Sequence, residues 1–368
     1  MITLSTILSD LPILLPFHYP LRLNTLSKVV FQRKSDSHSI IQEDAILPSS
    51  FTQHPKLRDM TDKLQHILKL SSNFSASYLL CHLEMSARSK LLHQHPSQRL
   101  LRHRNMYIRH IIADLAKHLP PSSTSPDTAL PNSNIIWTMW NQGEDEAPLV
   151  IQQCIASMRQ QGATVIVIDD TNIHGYIGPY ADSINRGLQN KSISLAHLSD
   201  YVRFTLLGLH GGLWLDSTVL CCAPLPDCAF RLPFYTYRQS KYTNPNNPEV
   251  WWKAFVLGAH GPSALFDMAS RILVSYWDHY DVLIDYYLVD HILNYLLSLP
   301  DYSNFKTQIP SEVKNIYWLQ QHASDDWKDV DSDSLCFINK LDYKKLSELQ
   351  MNDDTVLSHV IHKLGLTE

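Results

Sequence analysis

Asp200 and Arg203 stand three residues apart in Ser-Leu-Ala-His-Leu-Ser-Asp-Tyr-Val-Arg-Phe-Thr-Leu-Leu-Gly-Leu (194–209), and Asp216 follows after Gly-Gly-Leu-Trp-Leu (211–215). A carboxylate beside an arginine suits ligands rich in hydroxyl pairs and phosphate oxygens, because the guanidinium is a planar fork of donors. Leu195, Leu198, Val202, Leu206 and Leu209 recur at helical spacing and form one apolar stripe. Asp200 and Arg203 fall outside it, roughly 60° apart at about 100° per residue, so an acid and a base are expected on one exposed helix edge. Gly211 and Gly212 can stop the helix by adopting positive φ. Leu213–Leu215 is too short for anything but a buried strand, which puts Asp216 at a strand's C-terminal tip, where open α/β sheets bind ligands.

The elements needed to hold these residues are legible around them. Ile135–Trp140 reads as a strand, Pro148 opens a helix with apolar positions Val150, Ile151, Cys154, Ile155 and Met158, and Val165–Ile168 is a β-branched strand. That β-α-β order requires a crossover and predicts parallel pairing. Leu232–Tyr237 and Phe255–Leu257 read as strands, and Ser263–Tyr280 and Leu283–Leu299 as helices, with Asp285 and Asp290 interrupting the second. A carboxylate on a mostly apolar helix is costly unless it is paired or used. Asp169 ends the second strand, Asp170 suits a cap or turn, and Asp353, Asp354, His359 and His362 cluster near the C-terminus, the two histidines spaced for one helix face.

Four blocks together resemble the bacterial capsular polysaccharide synthesis protein family, a group of nucleotide-sugar glycosyltransferases. They are Ile-Ile-Trp-Thr-Met-Trp-Asn-Gln-Gly (135–143), Val-Ile-Val-Ile-Asp (165–169), Gly-Gly-Leu-Trp-Leu-Asp-Ser-Thr (211–218) and Leu-Ile-Asp-Tyr-Tyr-Leu-Val-Asp (283–290), and the resemblance covers about residues 131–345. It implies an α/β fold of GT-A type, a Rossmann-like mixed sheet flanked by helices. The implied activity is transfer of a hexose from a nucleotide sugar, UDP-linked by expectation, to a surface or capsular polysaccharide or lipid-linked glycan, with retention of configuration.

In such enzymes an Asp-x-Asp motif touches the ribose and holds a divalent metal on the diphosphate. The resemblance thus makes Asp216, Arg203 and Asp290 the expected catalytic residues. Trp137, Trp140, Asp169, Asp200, Gly211, Gly212, Ser217 and Thr218 complete the expected nucleotide-sugar site. Here the second acidic position of the motif is Thr218, a poorer ligand for a hard cation than a carboxylate. Mn²⁺ or Mg²⁺ is therefore expected on Asp216 and Thr218, with His359 supplying a further ligand.

Residues 1–130 differ in character from the rest. They carry more Lys and Arg than Asp and Glu, whereas residues 131–368 reverse the balance within a net charge of −5. Residues 1–55 are rich in Pro, Ser and His, residues 57–118 look helical, and Pro120-Pro-Ser-Ser-Thr-Ser-Pro126 to Pro131 has the composition of a linker. A mostly helical accessory region (1–130) followed by a catalytic domain (131–368) is the expected organisation. Arg88, Lys90, Arg99, Arg102, Arg104, Arg109 and Lys117 are opposed only by Asp114 between residues 88 and 117, which suits either a small helical subdomain or a face that lies on anionic lipid. No apolar run reaches about 18 residues, so neither a transmembrane helix nor a signal peptide is expected.

Six cysteines without Cys-x-x-Cys pairs point to a reducing compartment and argue against a zinc scaffold. The expected location is cytoplasmic, peripheral at the inner face of the membrane. Nucleic-acid binding is disfavoured by the acidic catalytic half. Two competing readings remain open: a transferase acting on a protein, and a non-catalytic nucleotide-sugar or glycan-binding protein, the latter made plausible by Thr218.

Overall fold

In the computed structural model, residues 55–91, 96–122, 134–239, 250–347 and 354–366 are described. The N-terminal Pro/Ser/His-rich segment, most of the linker and Asp353 lie outside the described residues. Among those described are nine strands: β1 (Ile135–Met139), β2 (Thr164–Ile168), β3 (Gly212–Leu215), β4 (Val219–Cys221), β5 (Tyr235–Thr236), β6 (Arg238–Gln239), β7 (Val256–Ala259), β8 (Ser311–Glu312) and β9 (Ile338–Lys340).

Five of the strands form a mixed sheet in the order β2-β1-β3-β7-β5. β1 runs parallel to β2, with the helix Leu149–Arg159 as the crossover expected from the β-α-β order, and β1 also runs parallel to β3. β7 is antiparallel to both β3 and β5. Apolar residues on both faces explain why the sheet sits between layers. Ile136, Leu213, Leu215 and Val256 feed one hydrophobic cluster, while their alternates Trp137, Trp214 and Leu257 feed another. The class is α/β, as the sequence predicts.

Gly211 (φ +68°) and Gly212 (φ +92°) occupy conformations that favour glycine. A Cβ on Gly211 would sit 2.5 Å from the Gly261 backbone, so close chain approach excludes a side chain there as well. The helix Leu195–Leu209 therefore ends where expected, and β3 follows with all four residues buried.

Two expectations need correction. The helix read over 283–299 begins only at Leu288, because the Asp285 carboxylate accepts the Tyr287 N–H (2.8 Å) and competes with helical pairing. The strand read over 232–237 shrinks to Tyr235–Thr236, since Leu232 caps the short helix Cys228–Arg231.

The described residues from Arg58 onward form one compact unit. Leu70, Tyr78, Ile108, Ile112 and Leu115 from the helices Pro55–Asn73, Ala76–Leu91 and Gln98–Lys117, with Phe74 from the bend between the first two, share a hydrophobic cluster with Trp137, Trp214 and the helix Ala264–His279. Full burial of each such aliphatic side chain contributes about 1.5–3 kcal/mol, which attaches these helices firmly. Arg104, read from sequence as part of a basic surface, is instead buried against Asp285 (3.3 Å), and Arg109 bonds Ser298 (2.8 Å). Arg99, Arg102 and Lys117 remain exposed. Among the described residues, no helix is long and apolar enough to cross a membrane.

Candidate functional site

Asp216 ends β3, and its backbone is fixed from both sides: its N–H donates to Phe255 O (3.1 Å) and its carbonyl accepts from Val219 (2.9 Å), making a tight turn. The carboxylate therefore projects from the strand tip into a cleft of about 790 Å³, a size suited to a small-molecule ligand. Asp200, Arg203, Ser217, Thr218, Lys253, Asp290 and Lys340 also line this cleft, with Trp214, Trp252, Tyr286, Tyr317 and Tyr343 among its aromatic walls.

Arg203 organises the acidic side. Its guanidinium lies 3.1 Å from Asp200 and 3.3 Å from Asp216, donates to Ala254 O (2.5 Å), and sits over the Trp214 ring. The exposed helix edge expected from periodicity is thus covered: the chain around Trp252–Phe255 closes over it and supplies the carbonyl that Arg203 needs once out of water. Trp214 Nε1–H donates to Asp216 Oδ1 (2.9 Å), and Trp252 Nε1–H donates to Asp290 Oδ1 (2.8 Å).

On the opposite side, Lys340 Nζ donates to Asp216 Oδ2 (2.7 Å) and Thr218 Oγ1 (2.5 Å). Antiparallel pairing of β4 with β9 places it there, with Val219 opposite Lys340 and Leu341 N–H bonded to Thr218 O (2.9 Å).

The carboxylates are driven apart in acidity. Burial alone would raise Asp216, but Lys340 and Arg203 outweigh it and hold its carboxyl well below the ordinary range. Asp200 is pushed up to about 7 by burial, which Arg203 only partly offsets and the charges of Asp216 and Asp290 reinforce. The single arginine is shared, and Asp216 keeps the negative charge. Burial also raises Asp290, and it lowers Lys253 to about 8. One fixed anion, two carboxyls that ionise reluctantly and a set of cations make the cleft suited to an anionic ligand bearing hydroxyl groups.

Other expected residues sit elsewhere. Trp137 is buried and donates to Gly211 O (2.8 Å), bracing the Gly-Gly turn and not lining the cleft. Asp169 closes its own turn, accepting from Thr171 N (2.9 Å), Thr171 Oγ1 (2.6 Å) and Asn172 N (3.0 Å), and the Thr171 hydroxyl leads in lowering its carboxyl. Asp170 lies in this same turn, as read for it, while Asp169 supplies the side chain that closes it. Trp140 meets Tyr343 edge to face at 5.4 Å, next to the cleft, with its indole N–H buried and without a hydrogen-bond partner. His359 stacks on Trp327 (4.0 Å between centroids) in the helix Val356–Lys363, away from the cleft lining.

A divalent cation was expected on Asp216, Thr218 and His359. Both Asp216 oxygens and the Thr218 hydroxyl already receive N–H donors, and His359 does not converge on them. Among the described residues no group of three or more His, Cys, Asp or Glu side chains is placed to hold a metal. The three expected ligands therefore form no preassembled cation site, and the Lys340 ammonium already takes up oxygens of Asp216 and Thr218.

The capsular polysaccharide synthesis protein family matches residues 88–360, most of the chain and all of the cleft. The chain belongs to that family. A shorter similarity links 73 residues, at 37% identity, to the Subversion of eukaryotic traffic protein A of Legionella pneumophila; it spans 20% of this chain and 10% of that protein.

Lys340, Lys253, Trp214 and Trp252 were not singled out by sequence reasoning. Lys340, Lys253 and Trp252 reach the cleft from distant parts of the chain and carry no local pattern, whereas Trp214 sits inside the quoted block, two residues before the Asp216 it bonds. Lys340 lies 124 residues from Asp216 in the chain.

Proposed function

We propose that this member of the capsular polysaccharide family is a GT-A-type glycosyltransferase that moves a hexose from a nucleoside diphosphate sugar, UDP-linked in the first instance, to a surface polysaccharide or its lipid-linked precursor. The observation carrying the proposal is the junction of Arg203, Asp216 and Lys340 at a strand tip within one cleft. Transfer breaks the bond between the sugar's anomeric carbon and the diphosphate oxygen, which keeps the electron pair. An acceptor hydroxyl oxygen forms the new bond and gives up its proton. Negative charge grows on the diphosphate, so preorganised donors facing it contribute most to the rate.

In this reading Lys340 meets the phosphates, and Asp216 holds Lys340 and Arg203 in place. Asp200 and Asp290, kept from easy ionisation by burial, contact sugar hydroxyls. Tyr343, on the cleft wall, offers its ring to the base, with Trp140 packed edge to face against it. Retention of configuration belongs to the same reading, as does a location at the inner membrane face, with exposed Arg99, Arg102 and Lys117 toward anionic lipid.

The test is a donor-hydrolysis assay over UDP-, GDP- and CMP-sugars. Slow release of the nucleotide from a UDP-sugar, lost in Asp216→Asn, is the expected result. A protein that binds these donors and releases nothing is a binding module, and the proposal fails. A second reading, with a protein acceptor, is separable by testing acceptors once a donor is known.

A further inference from the structure

We infer that Lys340 is the built-in cation of this cleft, its ammonium standing where Asp-x-Asp transferases hold a divalent metal, so that diphosphate binding here needs no metal ion. The inference rests on the glycosyltransferase reading and adds to it the identity of the group that neutralises the leaving diphosphate.

Three observations carry it. The first is position. The ammonium bridges the two side chains of the Asp-x-Thr motif, 2.7 Å from Asp216 and 2.5 Å from Thr218. The second is chemistry. A motif with two carboxylates offers a doubly charged ion the anionic oxygens it prefers, whereas one carboxylate and one hydroxyl suit a monovalent donor. Replacement of the second acid by Thr218 therefore matches the presence of a lysine. The third is rigidity. Lys340 is held in β9 by its N–H to Ile316 O (2.9 Å), its neighbour Leu341 is tied to Thr218, and its ammonium lies over the Phe255 ring at 4.9 Å. The side chain stays 22% exposed. An ammonium has three donors, and two are directed at the motif, which leaves one for a phosphate oxygen.

When the anomeric carbon–oxygen bond breaks, the electron pair moves onto the diphosphate beside this fixed charge. No proton transfer is required of Lys340.

Calorimetric titration of the full-length protein with UDP, GDP and ADP, each in EDTA and then in excess Mn²⁺, tests the inference. At least one of them is expected to bind in EDTA with an affinity that Mn²⁺ leaves unchanged. Lys340→Ala is expected to weaken that binding roughly 10- to 100-fold, the worth of a hydrogen bond to a charged group, while leaving the plain nucleoside unaffected. Lys340→Arg should recover part of the loss. Binding by the wild type that appears only with Mn²⁺ overturns the lysine inference and leaves the transferase reading standing. Absence of binding by every nucleotide in both conditions overturns that reading, and the inference with it. If Lys340→Ala does not fold, the wild-type comparison between EDTA and Mn²⁺ still decides.

Discussion

Two buried arginine–carboxylate clusters in this molecule have similar parts and different surroundings. In one, Arg104 from the helix Gln98–Lys117 meets Asp285 at 3.3 Å, with His291 at 3.8 Å from the same carboxylate. Apolar side chains such as Tyr78 and Ile108 surround it, and the Tyr78 hydroxyl donates to Ile284 O. In the other, Arg203 meets Asp200 and Asp216 on the wall of an open cleft, with Lys340 added. The first cluster is closed, and there His291 and Arg104 outweigh the effect of burial and hold the Asp285 carboxyl below its ordinary range. That cluster fixes the chain leading into Tyr286, Tyr287 and Asp290, which line the cleft. The second carries more charge than it can settle internally, visible in the opposite shifts of Asp200 and Asp216. Closed clusters position, whereas open and electrostatically divided ones bind.

Substitutions on either side should break this contrast in different ways. The largest effect is expected for Asp216→Asn, which removes the anchor shared by Arg203 and Lys340. Turnover of the sugar nucleotide should fall about 10²–10³-fold, the scale of losing one preorganised electrostatic contact, with the fold retained by circular dichroism. Near-normal turnover would remove Asp216 from the site.

Next is Arg104→Met. The Asp285 carboxylate would remain buried without its cation, at a cost of about 3–5 kcal/mol in urea unfolding, while turnover per folded molecule should fall far less than in Asp216→Asn, because the cluster only positions the chain that lines the cleft. A turnover loss without a stability loss would mean that the two clusters are not distinct in role.

Asp200→Asn gives a smaller, pH-dependent effect. A folded value of about 7 against an ordinary 3.8 means that the folded state binds the proton more tightly than the unfolded chain. This contribution to stability is full at low pH and is lost as pH rises toward about 7. The variant cannot lose it, so its melting temperature should gain on the wild type between about pH 4 and pH 7 and run parallel above that. A difference that stays flat with pH would place Asp200 in contact with solvent.

At the bottom of the scale, breaking the exposed Arg88–Glu84 pair by Arg88→Ala should shift stability by no more than about 0.5 kcal/mol, within the error of most unfolding curves.

What the sequence disclosed follows the same division between local and distant. Helical periodicity, the positive-φ glycines and a four-residue buried strand are local signals, and they place Arg203, the Gly211–Gly212 turn and Asp216 where the structure has them. The β1-helix-β2 unit was legible for the same reason. Periodicity mistook the covered edge of Asp200 and Arg203 for an exposed one, because the covering chain at 252–255 approaches from a distant part of the sequence. Asp285 looked like a candidate ligand group within a helix, and its partner Arg104 like a surface cation, until tertiary packing joined them. Lys340 gave no signal, since only the pairing of β4 with β9 brings it to Asp216. Charged groups that meet across long chain separations leave no periodic trace.

The most direct test of the central claim is a crystal structure of the protein with a non-hydrolysable UDP-sugar. The account predicts the diphosphate in the cleft at the β3 tip, with a phosphate oxygen in hydrogen-bond distance of Lys340 Nζ and the sugar toward Asp200 and Asp290. A nucleotide seated instead in the separate cavity of about 660 Å³ bordered by Pro121, His260, Pro262 and Tyr302, with the Asp216 cleft untouched, would contradict it.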